Sequence, residues 1–399
     1  MVRSFADGLV SVLLPSYLMA LGFDAAEVGA IATATLLGSA ALTLAVGLQA
    51  HRYEARRMLF AACVLMLLTG VGFAAFGFAH APLLVPLLIV AVIGTLNPSA
   101  GDVSVFLPLE QSLLAGAVDG HDHAALYARS NVAANAMAAL GALSSAFPAP
   151  LARLLGVSVL EAMSLAFLLY GTAAAAAFAL YTGLARHTSA TPAAPRTPLV
   201  QSRSIVLKLS ALFTLDSFAG GFVVQSLLAL WLFQRFSFSL ADAAGFFFAT
   251  SLLSGLSQLL SPVLARRIGL IPTMVFTHLP ANCFLMLAAF MPNAQLAVLF
   301  LLLRMSLASM DVPARQAFVM AVVPPEERAA AASVTNVPRS LGTALAPLAS
   351  GYLLAHSSFG WPLLIAGALK VLYDLMLLQG YRHHVASRLT SRPIEAASR

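Results

Sequence analysis

The chain has 399 residues, 60% of them hydrophobic and 10% charged, with a mean hydropathy of +0.89. Soluble domains carry about one charged residue in four, so 22 basic and 16 acidic side chains are too few to cover a water-facing surface, and the chain belongs in a bilayer. The net charge of +6 marks no nucleic-acid partner, because the arginines are scattered singly or in pairs. The two cysteines, Cys63 and Cys283, lie far apart in apolar runs and read as packing residues.

A helix needs about 20 apolar residues to cross the hydrocarbon core. Apolar runs punctuated by Pro, Gly or charge predict twelve spans, at 3–21, 27–49, 58–79, 83–106, 126–147, 158–183, 205–232, 242–264, 271–291, 295–318, 329–354 and 362–381. The first begins almost at Met1 without a small-residue cleavage site and reads as a retained helix, not a signal peptide. Starting the chain in the cytoplasm puts Arg52, Arg56, Arg57, Arg266, Arg267, Arg328 and the arginines of 186–203 and of the C-terminal tail on the inner face. Only Arg153 and Arg235 fall outside, so the positive-inside rule places both termini in the cytoplasm. The stretch 187–203, rich in Thr, Pro, Ala and Ser, reads as a flexible linker. The expected organisation is a six-helix bundle at 1–185, a cytoplasmic linker at 186–204, a second six-helix bundle at 205–382 and a cytoplasmic tail at 383–399.

The halves repeat. Ser4-Phe5-Ala6-Asp7-Gly8 in span 1 aligns with Ser217-Phe218-Ala219-Gly220-Gly221 in span 7, and Ala50-His51-Arg52 after span 2 aligns with Ala265-Arg266-Arg267 after span 8. Pro108-Leu109-Glu110-Gln111 matches Pro313-Ala314-Arg315-Gln316 at the end of spans 4 and 10. Asn135 with Leu140-Gly141 matches Asn336 with Leu341-Gly342 in spans 5 and 11. Parallel six-helix repeats are a transporter architecture, with the substrate site near the midplane between the halves.

At this point the sequence resembles the major facilitator superfamily. That family's loop between spans 2 and 3 reads roughly Gly-x-Leu-Ala-Asp-Arg-x-Gly-Arg-Lys, and here Gly47, Ala50, Arg52 and Arg56 fit, with His51 in place of Asp and Glu54 in place of Gly. Leu264-Ala265, Arg267 and Gly269 keep the pattern in the second half. Pro313, Arg315, Gln316 and Ala317, with Arg328, Ala346-Pro347 and Gly351, resemble exporter-type members. The resemblance implies an all-α integral membrane protein of twelve helices in two pseudo-symmetric bundles, working by alternating access. Against the repeat, span 7 has 206–216 ahead of its motif where span 1 has only three residues. At about 1.5 Å per residue a 19-residue helix barely crosses the core, so an upstream piece of about eight residues is expected.

Each uncompensated charge at the centre of a span costs about 2.5–3.5 kcal/mol even on the lenient insertion scale, so those left inside must meet one another or a watered cavity. Arg3 and Asp7 are four apart on one helical face and can pair. Arg3 aligns with Asp216 and Glu110 with Arg315, opposite signs at equivalent positions that could bridge across the pseudo-twofold axis and close one face of the cavity. The proton-coupling candidates are Asp7 and Asp216, because spans 1 and 7 line the cavity in the resembled family, followed by Asp102 and Asp311; a static ion pair is the competing reading. Arg3, Asn97 and Arg304 are substrate-cavity candidates, with Arg304 seven residues before Asp311 on roughly the same face. Gly47, Arg52, Arg56, Arg267, Glu110 and Arg315 are the gating loop and bridge candidates.

Lys370 and Asp374 in span 12 are four apart and read as a structural pair. Asn97-Pro98 and Gly101 interrupt span 4, so freed carbonyls could line the cavity or merely kink it. Spans 5 and 11 are dense in Ala, Ser and Gly, which suits sliding surfaces. The loop at 119–123 holds His and Asp but has no metal spacing.

Neither lysine follows a glycine, so there is no phosphate-binding loop, and no His-Glu-x-x-His or Gly-x-Ser-x-Gly is present. No enzyme, cofactor or metal is expected. The sequence points to a monomeric secondary transporter of the cell's cytoplasmic or inner membrane, exporting an apolar or amphipathic small molecule against a proton gradient. The alternatives are proton-coupled uptake of an organic acid or nutrient, and a non-transporting receptor on the same fold.

Overall fold

The computed structural model describes residues 1–49, 55–99, 106, 109, 110, 123–183, 200–324 and 327–390. Among these there is no strand, and the helices follow the twelve expected spans. Span 1 is α1 (Val2–Ala20), span 2 is α2 (Ala25–Gln49), span 3 is α3 (Ala55–Phe78) and span 4 opens with α4 (Leu84–Ile93). Span 5 is bent into α5 (His123–Ser144) and α6 (Pro148–Leu155), and span 6 is α7 (Val159–Thr182). Span 7 is broken into α8 (Arg203–Gly221) and α9 (Gln225–Phe236), followed by α10 (Leu240–Ile268) and α11 (Leu270–Phe290). Span 10 is broken into α12 (Ala294–Ala308) and α13 (Asp311–Val322), and α14 (Arg328–His356) and α15 (Trp361–Thr390) complete the chain.

Four helix starts on the face opposite the N-terminus, those of spans 2, 6, 8 and 10, carry polar caps. Asp24 accepts from the Glu27 N–H while the Asp24 N–H donates to Glu27, both at 2.9 Å. Ser158 with Glu161 and Ser239 with Asp242 make the same reciprocal box, and Asn293 accepts from the Leu296 N–H at 3.0 Å. Each satisfies helix N–H groups that would otherwise end unpaired at the membrane edge.

The breaks have local causes. Pro148 opens α6, and α5 and α6 meet at a 44° bend. Gly220 and Gly221 end α8, and the chain crosses 222–224 before α9 resumes. Eight described spans are long and apolar enough to cross a membrane by themselves, or nine with the bent pair. Those outside that set are span 1, the short α4, the bent span 5 and span 11. In α1 the polar residues are tolerated because the helix is interior: 13 of its residues are buried, Ser4, Asp7 and Ser11 among them, so these groups do not meet hydrocarbon.

The repeat is physical as well as textual. At the crossing of spans 1 and 5, a Cβ on Gly8 would overlap the Ala138 carbonyl, and one on Gly141 would overlap that of Phe5. At the crossing of spans 7 and 11, Gly221 lies against the Thr343 carbonyl and Gly342 against that of Thr214. The glycines aligned by sequence therefore serve the same close backbone approach in each half. The halves meet where Gly29 of α2 packs on Gly351 of α14, where Asn135 of α5 meets Gly255 of α10, and where the Ser226 N–H donates to the Pro98 carbonyl at 3.2 Å. The apolar interior is led by Tyr17, Phe73 and Phe167 in the first half and by Phe213, Phe318 and Tyr373 in the second.

Most of the expected linker lies outside the described residues. Span 12 continues as helix through Thr390, past the expected end at 381.

Candidate functional site

Two buried charge clusters occupy equivalent places in the two halves. In the first, the Arg3 guanidinium on α1 donates to Asp7 at 2.7 Å and to Glu110 at 3.4 Å, and it lies over the Phe106 ring at 5.5 Å. The Tyr181 hydroxyl at the end of α7 donates to the other Glu110 oxygen at 2.7 Å. One cation is thus held between two carboxylates, which is how a charge can be kept in a span without the full desolvation cost.

In the second half the signs are inverted. Asp216 on α8 accepts from Arg315 of α13 at 3.2 Å and from the Lys370 ammonium of α15. Lys370 lies against Gly220, the residue aligned with Asp7. One carboxylate is held between two cations where its counterpart is one cation between two carboxylates. Arg315 also donates to Asp311, one helical turn away at 3.1 Å, and lies over the Phe213 ring.

The second cluster extends outward. His278 on α11 places Nδ1 2.9 Å from Asp374 and Nε2 3.9 Å from Asp216, and the Asn282 amide donates to the other Asp374 oxygen at 3.0 Å. Asp374 is 0% exposed and His278 4%. Spans 7, 9, 10 and 12 are joined through one chain of polar contacts.

Several sequence expectations are corrected by this arrangement. The bridges of Arg3 with Glu110 and of Asp216 with Arg315 close within each half and not across the pseudo-twofold axis, because each partner sits on a neighbouring segment of its own bundle. Lys370 and Asp374 do not form a private pair: Lys370 turns to Asp216 and Asp374 to His278, since those groups approach more closely than the i,i+4 neighbour. Asp311, on roughly the same face as Arg304, pairs with Arg315. Sequence reasoning misses His278 and Asn282, although two polar residues four apart in span 9 are the kind of helical-face signal that singles out Arg3 and Asp7.

Arg304, midway along span 10, differs from the other cations of the clusters. One of its terminal N–H groups donates to the Met305 sulfur at 3.0 Å, and its buried Nε has no hydrogen-bond partner among the described residues. Asn97 sits in the break after α4, 1% exposed, with its oxygen accepting from Ser99 and its amide nitrogen unpartnered among the described residues. The adjacent Pro98 carbonyl contacts Ser226 of the other half, whose buried hydroxyl is also unpartnered among the described residues. Buried polar atoms of this kind are rarely left unpaired, and those of Asn97 and Ser226 lie where the halves meet.

Of the gating candidates, Arg56 at the start of α3 donates to the Thr182 carbonyl at 2.6 Å and packs on Phe60, tying span 3 to span 6. Arg267 is exposed in the last turn of α10, where the helix dipole favours a cation. Gly47 lies near the end of α2, while Asp102, Arg52 and the loop at 119–123 are outside the described residues or have no described side chain.

Comparison with known proteins follows the same lines. The model of the Major Facilitator Superfamily matches residues 1–310 and 282–396. An uncharacterised membrane protein of Saccharomyces cerevisiae, YJR124C, is 24% identical over 94% of this chain and 91% of its own length. Solved structures with the same fold include a point mutant of the nucleoside transporter NupG (TM-score 0.70, 16% identity, 95% of this chain and 98% of that one) and a D-xylose–proton symporter (TM-score 0.70, 14% identity, 94% and 95%). A third is a bacterial homologue of the human lysosomal transporter Spinster, captured inward-facing and unoccupied (TM-score 0.67, 14% identity, 99% and 96%). With a family match over nearly its whole length, twelve spans in two six-helix repeats and a buried charge cluster in each, this chain belongs to the Major Facilitator Superfamily.

Proposed function

We propose that the protein is a proton-coupled secondary transporter of a small solute bearing an acidic group, working by rocking of residues 1–185 against 205–382 about the linker. The observation that carries the acidic group is Arg304. Arg3, Arg315 and Lys370 each meet a carboxylate, whereas Arg304 pairs with none among the described residues and faces a thioether; its buried Nε, like that of Arg3, is also unsatisfied among them. A guanidinium in that state is a ready partner for a carboxylate or phosphate oxygen of a cargo. Asn97 and Ser226 add unpaired polar atoms at the meeting of the halves, and Asp7 and Asp216 are the carboxylates whose pairing would change as the cavity opens.

This favours the organic-acid reading over a purely apolar cargo. Efflux of an amphipathic molecule is the second reading, supported by the exporter-like run at 313–317. The positive-inside arginines support a topology with both termini on the cytoplasmic side, and the cytoplasmic-membrane location and the gating role of Arg56 and Arg267 belong to the same proposal.

The test is a thermal-shift screen of purified protein against small mono- and dicarboxylates. Flux of any hit is then measured in proteoliposomes with and without an imposed pH gradient. Gradient-driven flux is expected, with Arg304→Gln weakening binding of the hit at least about tenfold, the loss of one charge-assisted contact, and Asp7→Asn uncoupling flux from the gradient. Full retention of the thermal shift by Arg304→Gln sinks the acidic cargo, and flux indifferent to the gradient sinks proton coupling.

A further inference from the structure

Within the second-half charge cluster, a buried histidine lies between two carboxylates, on a span to which the proposed function gives no part in coupling. We propose that His278 is a proton-binding residue of the carrier, and that its charge state decides how Asp216 is shared between its cations. The inference deepens the proton-coupled reading above and rests on it for its physiological purpose, though not for its geometry.

With Nδ1 2.9 Å from the Asp374 carboxylate, the neutral ring carries its proton on Nδ1, and Asn282 fixes the other Asp374 oxygen at 3.0 Å. Nε2 then presents a lone pair towards Asp216, 3.9 Å away. A proton taken from water onto Nε2 turns that lone pair into a charged donor aimed at Asp216. Asp216 already accepts from Lys370 and Arg315, so a third cation must loosen one of them. The loosened contact is a tie between span 7, just before its break at 222–224, and span 10 or span 12.

The charges that face His278 from its neighbours give the direction of coupling. They are Asp216 from α8; Lys370, Asp374 and the Tyr373 ring from α15; and Asp311 and Arg315 from α13, with Arg304 on α12 close enough to Asp216 to interact. On its own helix stand Asn282 and Cys283, and the facing α10 carries no titratable group between Asp242 and Arg266. With His278 neutral, the three carboxylates Asp216, Asp311 and Asp374 balance Arg304, Arg315 and Lys370. With His278 protonated, the cluster gains one positive charge, which an anion at Arg304 would offset. Proton and anion therefore favour each other's binding, and by linkage the effect is reciprocal. Among the described residues no group of three or more His, Cys, Asp and Glu is placed to hold a metal ion.

The experiment uses the full chain in nanodiscs without any cargo. Cys63 and Cys283 are replaced by Ser, and spin labels are placed at the exposed Leu180 on α7 and Ile268 on α10, one in each half. The distance distribution is followed from about pH 5 to pH 8, the range around an ordinary histidine pKa. In an Asp7→Asn background, used throughout so that the coupling carboxylate proposed in span 1 does not respond, the distribution is expected to shift with one midpoint. His278→Gln should abolish the shift, and Asp374→Asn should move the midpoint down by about one pH unit, since removing a negative neighbour weakens proton binding about tenfold. In parallel, 15N-histidine spectra of the nine histidines should contain one titrating signal absent from His278→Gln. A pH response that survives in His278→Gln, or a His278 signal that does not titrate, overturns the proposal. If His278→Gln does not fold, an unchanged midpoint in Asp374→Asn overturns it instead. Because no cargo is present, a titrating His278 beside gradient-independent flux would reject the transport reading alone, while gradient-driven flux beside a silent His278 would reject only this inference.

Discussion

Lys370 reaches Asp216 from span 12 and Arg315 reaches it from α13, so one buried carboxylate ties three helices together. Removing one member of a buried pair leaves the other charge without full compensation, which typically costs about 3–5 kcal/mol. Lys370→Met should therefore lower the melting temperature of the detergent-solubilised protein, and Lys370→Met with Asp216→Asn should recover part of the loss. A double variant no more stable than the single one would show that Lys370 acts through packing and not through its charge. Most of the actors in these clusters can be named from the sequence, but not their partners. Asp7, Asp216, Asp311, Arg3, Arg304 and Arg315 stand out because charges are rare inside spans. The i,i+4 rule then pairs Arg3 with Asp7 correctly and Lys370 with Asp374 incorrectly. Only the neighbouring helix shows which partner is nearer, and that is not a local property.

Glu327, immediately before α14, acts on whole elements. Its carboxylate accepts the N–H groups of Val200, Gln201 and Ser202 at 2.9, 2.9 and 3.0 Å, and also the Ser202 hydroxyl. It thereby pins the start of span 7 to the start of span 11. These hydrogen bonds hold its pKa down at about 2, against a usual value of 4.5. A depressed carboxylate pKa stabilises the fold fully above the unfolded value and loses that contribution as pH falls through the folded one. Glu327→Gln should consequently melt below the wild type near neutral pH, and the gap should narrow steadily as thermal scans are taken from about pH 5 towards about pH 3. A gap that does not change with pH would mean the latch is not held by the carboxylate's charge. Nothing in the sequence signals this latch, because Glu327 and Ser202 are 125 residues apart.

Across the whole molecule, Gly29 and Gly351 let α2 and α14 touch backbone to backbone between the halves. A side chain there has no room, so a larger residue is expected to part the halves at that end. Ala25, whose carbonyl faces Gly351, is buried. In a cysteine-free background, Ala25→Cys should resist a membrane-impermeant maleimide, and adding Gly351→Leu should make it react. Continued protection would show that the contact yields by local repacking, without changing how the halves sit. Alternating access needs such bistable contacts, since packed interfaces switch between arrangements and do not deform continuously.

Composition and periodicity were enough to establish that the chain spans a membrane, roughly where its twelve helices run, and that its halves repeat. Each of these is a local property: a span must be apolar for about 20 residues, and a duplicated bundle keeps its glycine crossings in register. Even Asn97, at the break in span 4, and the glycines of spans 5 and 11 were visible in this way. Which charges meet was settled only when the helices packed. Packing closed the two clusters within their own halves, drew His278 between Asp216 and Asp374, and set Arg304 beside a thioether. The physical reason is that the cost of burying a charge depends on what other helices place within a few ångströms of it, and chain order does not contain that distance.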